Sequence, residues 1–129
     1  MTVKPMDAGI AIFLSDTPPL RPLRHPAVAL RQVDNRIFVI YGTSKPRDLD
    51  GKSLSGVPLP DAPNASVFWV DPWTPSGKSI GITKRTFFSR GTIKPMYLPF
   101  RADNDFIVRG TCLPNLFFAL QDIAGIRRP

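Results

Sequence analysis

The sequence predicts a mainly β domain: a small, strongly bent barrel of short strands with long loops and one short helix near the C-terminal end. Three observations carry this. Fifteen prolines are scattered along 129 residues, and proline ends helices by removing a donor and clashing with the preceding turn. The apolar residues fall in short runs rich in β-branched and aromatic side chains, each closed by Gly, Pro, Asn or Asp. Helical spacing of apolar residues occurs only at 113, 116, 117, 120 and 123. The length suits one domain spanning 1–129, and 43% hydrophobic content argues against disorder.

The elements follow in order. Gly9 to Leu14, GIAIFL, reads as a buried strand, and Ser15 to Leu23, with three prolines, as a loop. Pro26 to Leu30 is a strand whose leading proline is tolerated at its start. Asp34-Asn35 supplies turn chemistry before Arg36 to Tyr41, RIFVIY, the strongest strand signal in the chain. Gly42 breaks that strand. Residues 45–64 form a long Pro/Gly/Asp/Ser-rich connection that holds, around Leu54, Val57 and Leu59, at most a short extended piece. Connections of this length are often functional.

Ser66 to Val70 is a further strand, and DPWTPSGK (71–78) a turn-dense loop bearing Trp73. Ser79 to Thr83 and Thr86 to Ser89 are expected to be short extended segments flanking Lys84-Arg85. Lys94 to Pro99 carries Tyr97 and Leu98 between prolines, and Phe106 to Gly110 is the last of about six strands. Leu113 to Ile123 is the helix. Pro114 suits its first turn and Gly125 its stop, with Arg127 and Arg128 beyond, where the helix dipole favours cations.

The formal charge is +7, with no glutamate among the ten acids. The excess is concentrated. Residues 21–47 hold six Lys/Arg against one Asp, and residues 78–94 hold five Lys/Arg and no acid. Such blocks are the electrostatic footprint of a nucleic-acid ligand. Cys112 is the only cysteine, which excludes an internal disulfide and fits a reducing cytoplasm. No run has the length of a membrane span, so no membrane partner is expected. One His and one Cys cannot build a zinc site, so neither metal nor cofactor is expected.

If the strands around Asp34-Asn35 pair, their far ends meet. Arg24, His25, Thr43, Ser44 and Lys45 then share one small area, a set able to hold a phosphodiester and move protons. Lys84 and Arg85 are expected to track the backbone. Trp73, between prolines in a polar loop, suits base stacking or covers one end of the barrel.

AGIAIF (8–13), RHPAVAL (24–30), IYGTSK (40–45), FFSRGTIKPMYLPF (87–100) and VRGTCLPNLFFAL (108–120) occur in an order that resembles the MazF/PemK-like toxins of toxin–antitoxin systems, in the branch with Tyr-Gly-Thr-Ser-Lys. The resemblance implies an SH3-like barrel of the MazF/CcdB type, a homodimer, and an endoribonuclease that cuts single-stranded RNA without a metal. It also implies an antitoxin protein partner. Arg24, His25 and Thr43 would be catalytic. Ser44, Lys45, Lys84, Arg85, Ser89, Arg90 and Trp73 would bind RNA, with Ser89 and Arg90 drawn from the resemblance alone. In that family an arginine directly precedes the strand proline; here His25 stands there and Arg24 one place earlier. Two outcomes are open: His25 shuttles the proton while Arg24 supplies charge, or the shifted arginine leaves a site that binds without cutting. In the second case the chain is a non-catalytic barrel module for nucleic acid or protein, such as a phage or mobile-element inhibitor.

Overall fold

A computed structural model describes residues 8–15, 24–47, 50–97 and 106–126, and within them the chain is mainly β. Strands β1 (Ile10–Ser15), β2 (Arg24–Val33) and β3 (Arg36–Tyr41) are successive antiparallel neighbours. β4 (Val57–Pro58), β5 (Val67–Val70) and β6 (Thr86–Ser89) form a second, three-stranded sheet in that order. β7 (Ile93–Tyr97) and β8 (Phe106–Thr111) return to the edges of the first sheet, giving the order β7-β3-β2-β1-β8. Helix α1 (Pro75–Ser79) joins β5 to β6, and α2 (Pro114–Ala124) follows β8.

The β2–β3 hairpin forms at Asp34-Asn35, with Val33 opposite Arg36 and Asp34 at φ 54. Aspartate tolerates this left-handed conformation better than most residues, which is why the turn can close in two residues. A register shift between Ala29 and Arg31 bends β2. β7 occupies an edge, so Pro95, opposite Phe38, costs the sheet no interior hydrogen bond.

The central residues of β1, β2 and β3 are buried on both faces of the five-stranded sheet, which explains the nearly unbroken apolar runs there. Ala11, Val28, Leu30 and Ile40 face a core completed by Phe68 and Phe88 of the small sheet and by Leu116 and Leu120 of α2. Ile10, Ile12, Ala27, Ala29, Ile37 and Val39 form a second cluster on the other face. An eleven-residue helix is marginal alone. Burying Leu116, Leu120 and Ile123 stabilises it by about 1.5–3 kcal/mol for each fully covered side chain.

The ends of α2 are closed by residues from elsewhere. Ser79 Oγ accepts from Leu113 N at the N-terminal end, at 3.4 Å. At the C-terminal end Gly125 turns left-handed (φ 73), while Gly125 N donates to Asp122 O and Ile126 N to Gln121 O, the paired bonds of a Schellman motif. Arg90 Nε donates to Ile123 O at 3.2 Å. Arg127 and Arg128, expected to serve this helix end, lie outside the described residues; among the described residues the cation is Arg90.

The short extended piece expected within 45–64 is β4, which pairs parallel to β5. Two expectations are corrected. Eight strands, not about six, occur among the described residues. Ser79 to Thr83 is not extended: residues 75–79 form α1 and a turn follows at Ile80-Gly81. Thr74 caps α1 by accepting from Gly77 N at 3.1 Å, Pro75 starts it, and Gly81 (φ 67) turns the chain afterwards. No helix among the described residues is long and apolar enough to cross a membrane.

Candidate nucleic-acid interface

The hairpin brings the far ends of β2 and β3 together, as expected from the sequence. Gly42 N donates to Pro26 O at 2.7 Å. His25, half-buried at the rim of the second cluster, sets its ring 5.1 Å from that of Tyr41 at 49°. Its Nδ1 lies 3.1 Å from Gly42 O. A carbonyl only accepts, so this contact requires the proton on Nδ1 and puts the basic lone pair of the neutral ring on Nε2. Arg24 pairs through its backbone with Ser15; its side chain lies outside the described residues.

Thr43 joins the two sheets. Its N–H donates to Phe87 O at 3.0 Å and its carbonyl accepts from Phe87 N at 2.8 Å. This seam needs a glycine beside it. A Cβ on Gly42 would lie 2.1 Å from Thr86 Cγ2 and 3.1 Å from two carbons of the Phe88 ring. The glycine of Gly-Thr-Ser therefore serves close approach of the sheets rather than an unusual φ. The Thr43 hydroxyl accepts from Lys45 N at 3.2 Å, holding the turn that exposes Ser44 and Lys45.

His25, Thr43 and Lys45 form a ridge between two clefts. The smaller, about 220 Å³, runs from Tyr41 and Arg47 to Phe87, Ser89 and Thr92. The larger, about 420 Å³, runs from Ser44 to Lys84 and Thr86. No acidic side chain among the described residues lines either one. The ridge and its two sides thus present lysine, arginine, hydroxyl and imidazole groups, with no competing carboxylate among the described residues, a surface suited to phosphate.

The other expected residues divide. Lys84 is exposed beside the larger cleft. Ser89 reaches the smaller one, in a turn where Thr92 Oγ1 donates to Ser89 O at 2.7 Å. Arg85 is engaged within the fold: Nε donates to Asp71 Oδ1 at 2.7 Å, and its guanidinium stands 4.7 Å above the Trp69 ring. Arg90 is turned away to the end of α2, beside a separate cavity of about 630 Å³. Trp73 is 68% exposed but lines neither cleft.

Sequence reasoning missed Tyr41, Arg47 and Thr92. Tyr41 was legible in part, because it follows Ile37 and Val39 at the two-residue period of one sheet face. Arg47 lies in the first basic block but had no partner in sequence. Cys112 is buried, and its thiol is pushed up to about 12 by desolvation. It takes no part in the ridge. Among the described residues no three His, Cys, Asp or Glu side chains gather as a metal site requires. No known protein family, no curated protein and no solved structure matches the chain.

Proposed function

We propose that this protein binds single-stranded RNA along the His25–Thr43–Lys45 ridge and cuts it without a metal, as a growth-inhibiting toxin restrained by an antitoxin protein. The observation that supports binding and cutting is the ridge itself: one oriented imidazole, one hydroxyl and one ammonium between two clefts that no acid lines among the described residues. The toxin role, the antitoxin and a homodimer rest on the order of the sequence motifs alone. An SH3-like barrel is the fold reading that accompanies them, and the Thr43–Phe87 seam joining the two sheets supports it.

In the proposed reaction the RNA 2′-hydroxyl attacks the adjacent phosphorus and gives its proton to His25 Nε2. The Thr43 hydroxyl and the Lys45 ammonium hold the non-bridging oxygens, whose charge grows in the transition state. The bond to the 5′-oxygen breaks and that oxygen takes a proton from water. The products are a 2′,3′-cyclic phosphate and a 5′-hydroxyl. Incubation with a long single-stranded RNA in EDTA tests this. Fragments with cyclic phosphate ends are expected, and their loss in His25→Ala. Intact RNA at large protein excess, with no antitoxin present, would refute cutting.

One observation favours binding without cutting. His25 is the only histidine, so the departing oxygen has no second imidazole as its acid. That reading predicts salt-sensitive RNA binding with no fragments, unaffected in the cutting assay by His25→Ala or Thr43→Ala.

A further inference from the structure

We propose that the cavity between the 62–66 loop and the last turn of α2 binds a small zwitterion, a free α-amino acid with an aliphatic side chain. Its carboxylate sits on Arg90 and its ammonium on Asp122, both of which line the cavity. The site is separate from the ridge and needs no RNA: no residue of either cleft lines it.

Charge is the first argument. Arg90 Nε donates to Ile123 O at 3.2 Å, which anchors the guanidinium at the helix end. The group has five donors, so its Nη hydrogens remain to grip a carboxylate side by side. Gly125 has no side chain to cover them; a Cβ there would come within 3.7 Å of Arg90 Nη2. The Asp122 carboxylate has about four lone-pair sites, so it can take an ammonium beside any contact within the fold. Opposite charges on one cavity disfavour both a plain anion and a plain cation, because either leaves one protein charge desolvated and unmatched. An RNA backbone, anionic throughout, would meet Asp122.

The walls are the second argument. No aromatic side chain among the described residues lines the cavity, so a nucleobase finds no face to stack on. Ala62, Ala65 and Ile123 supply an aliphatic floor instead. About 630 Å³ lies within the roughly 300–1,000 Å³ of small-molecule pockets, ample for a branched amino acid. The loop wall is also preformed. Ala62 N donates to Leu59 O and Ala65 N to Ala62 O, both at 2.9 Å. Asn64 between them holds φ 69, a left-handed backbone that asparagine tolerates and most side chains do not. Asn64 and Ser66 line the cavity too, and an amide and a hydroxyl can each bond a carboxylate oxygen or an ammonium hydrogen.

The test is a titration of the full chain followed by two-dimensional amide NMR. Three probes are compared: leucine, isocaproate, which lacks the ammonium, and leucinamide, which lacks the carboxylate. Leucine is expected to give saturable shifts centred on residues 62–66, Arg90 and Asp122. Each truncated probe should bind about tenfold more weakly, the loss of one charge-assisted pair. In Asp122→Asn, leucine and isocaproate should bind alike; in Arg90→Met, leucine and leucinamide should bind alike. A merely structural role for either residue would leave those differences between probes intact. Shifts that do not saturate with leucine, or a truncated probe that binds as tightly as leucine, would overturn the zwitterion site. Neither result bears on RNA binding at the ridge. The probe series on the unaltered chain decides even where a variant does not fold.

Discussion

Gly42→Ala tests the seam on which the ridge stands. The new Cβ would lie 2.1 Å from Thr86 Cγ2 and 3.1 Å from the Phe88 ring. Thr86 is 4% exposed and Phe88 fully buried, so neither can move into solvent. Overpacking of this kind costs about 1–3 kcal/mol. Opposing it, Gly42 is not among the positive-φ glycines, and alanine stabilises at compatible positions by about 0.4–1 kcal/mol through the unfolded chain. The clash should win, leaving a net loss of about 1–2 kcal/mol. An unfolding entropy of about 2.1 cal/mol/K per residue over 129 residues makes each kcal/mol worth about 4 °C. The melting temperature should therefore fall by about 4–8 °C.

Thr86→Ser removes the clashing methyl and keeps the hydroxyl that donates to Lys84 O, at a cost of about 1 kcal/mol alone. Combined with Gly42→Ala it should cost about 1 kcal/mol less than the sum of the two. Urea unfolding followed by Trp fluorescence measures all four proteins. Strict additivity, or a Gly42→Ala variant as stable as the parent, would refute the steric account of the Gly-Thr-Ser segment.

Other consequences can be checked separately. Lys84→Ala should weaken RNA binding and flatten its dependence on log salt by about 0.7; Arg85→Ala, which loses Asp71 and the Trp69 face, should instead destabilise the fold by about 1 kcal/mol with little change in that slope. Arg90→Met removes the donor to Ile123 O and should cost about 1 kcal/mol in urea unfolding without altering RNA affinity. Cys112 should react with iodoacetamide only on unfolding. Burial keeps its folded thiol protonated to about 12, against 9.0 for a solvated thiol. This contribution to stability is therefore complete below pH 9 and lost as pH rises from 9 to 12, visible as a falling urea midpoint.

The sequence by itself determined the elements whose signals are local. RIFVIY is a strand because branched and aromatic side chains fit a pleated surface. Asp34-Asn35 is a turn because aspartate accepts a left-handed backbone. The last helix runs between Pro114 and Gly125 because one residue starts a helix and the other stops it. Convergence of the far ends of β2 and β3 also followed from the hairpin turn, whereas their register there was set by the one-residue shift between Ala29 and Arg31. The helical turn at 75–79 was equally local in Thr74-Pro75, yet the surrounding prolines and glycines read as a loop.

Only the tertiary structure decided which basic residues the fold itself engages. Lys84 and Arg85 are neighbours in sequence, but Asp71 and Trp69 hold one of them. Arg90 looks like another phosphate contact until α2 returns 33 residues later with a carbonyl to satisfy. The small cleft, too, gathers Tyr41, Leu54 and Thr92 from three separate elements. A side chain's own neighbours specify its backbone, whereas its charge and hydrogen-bond partners come from packing between segments far apart in the chain.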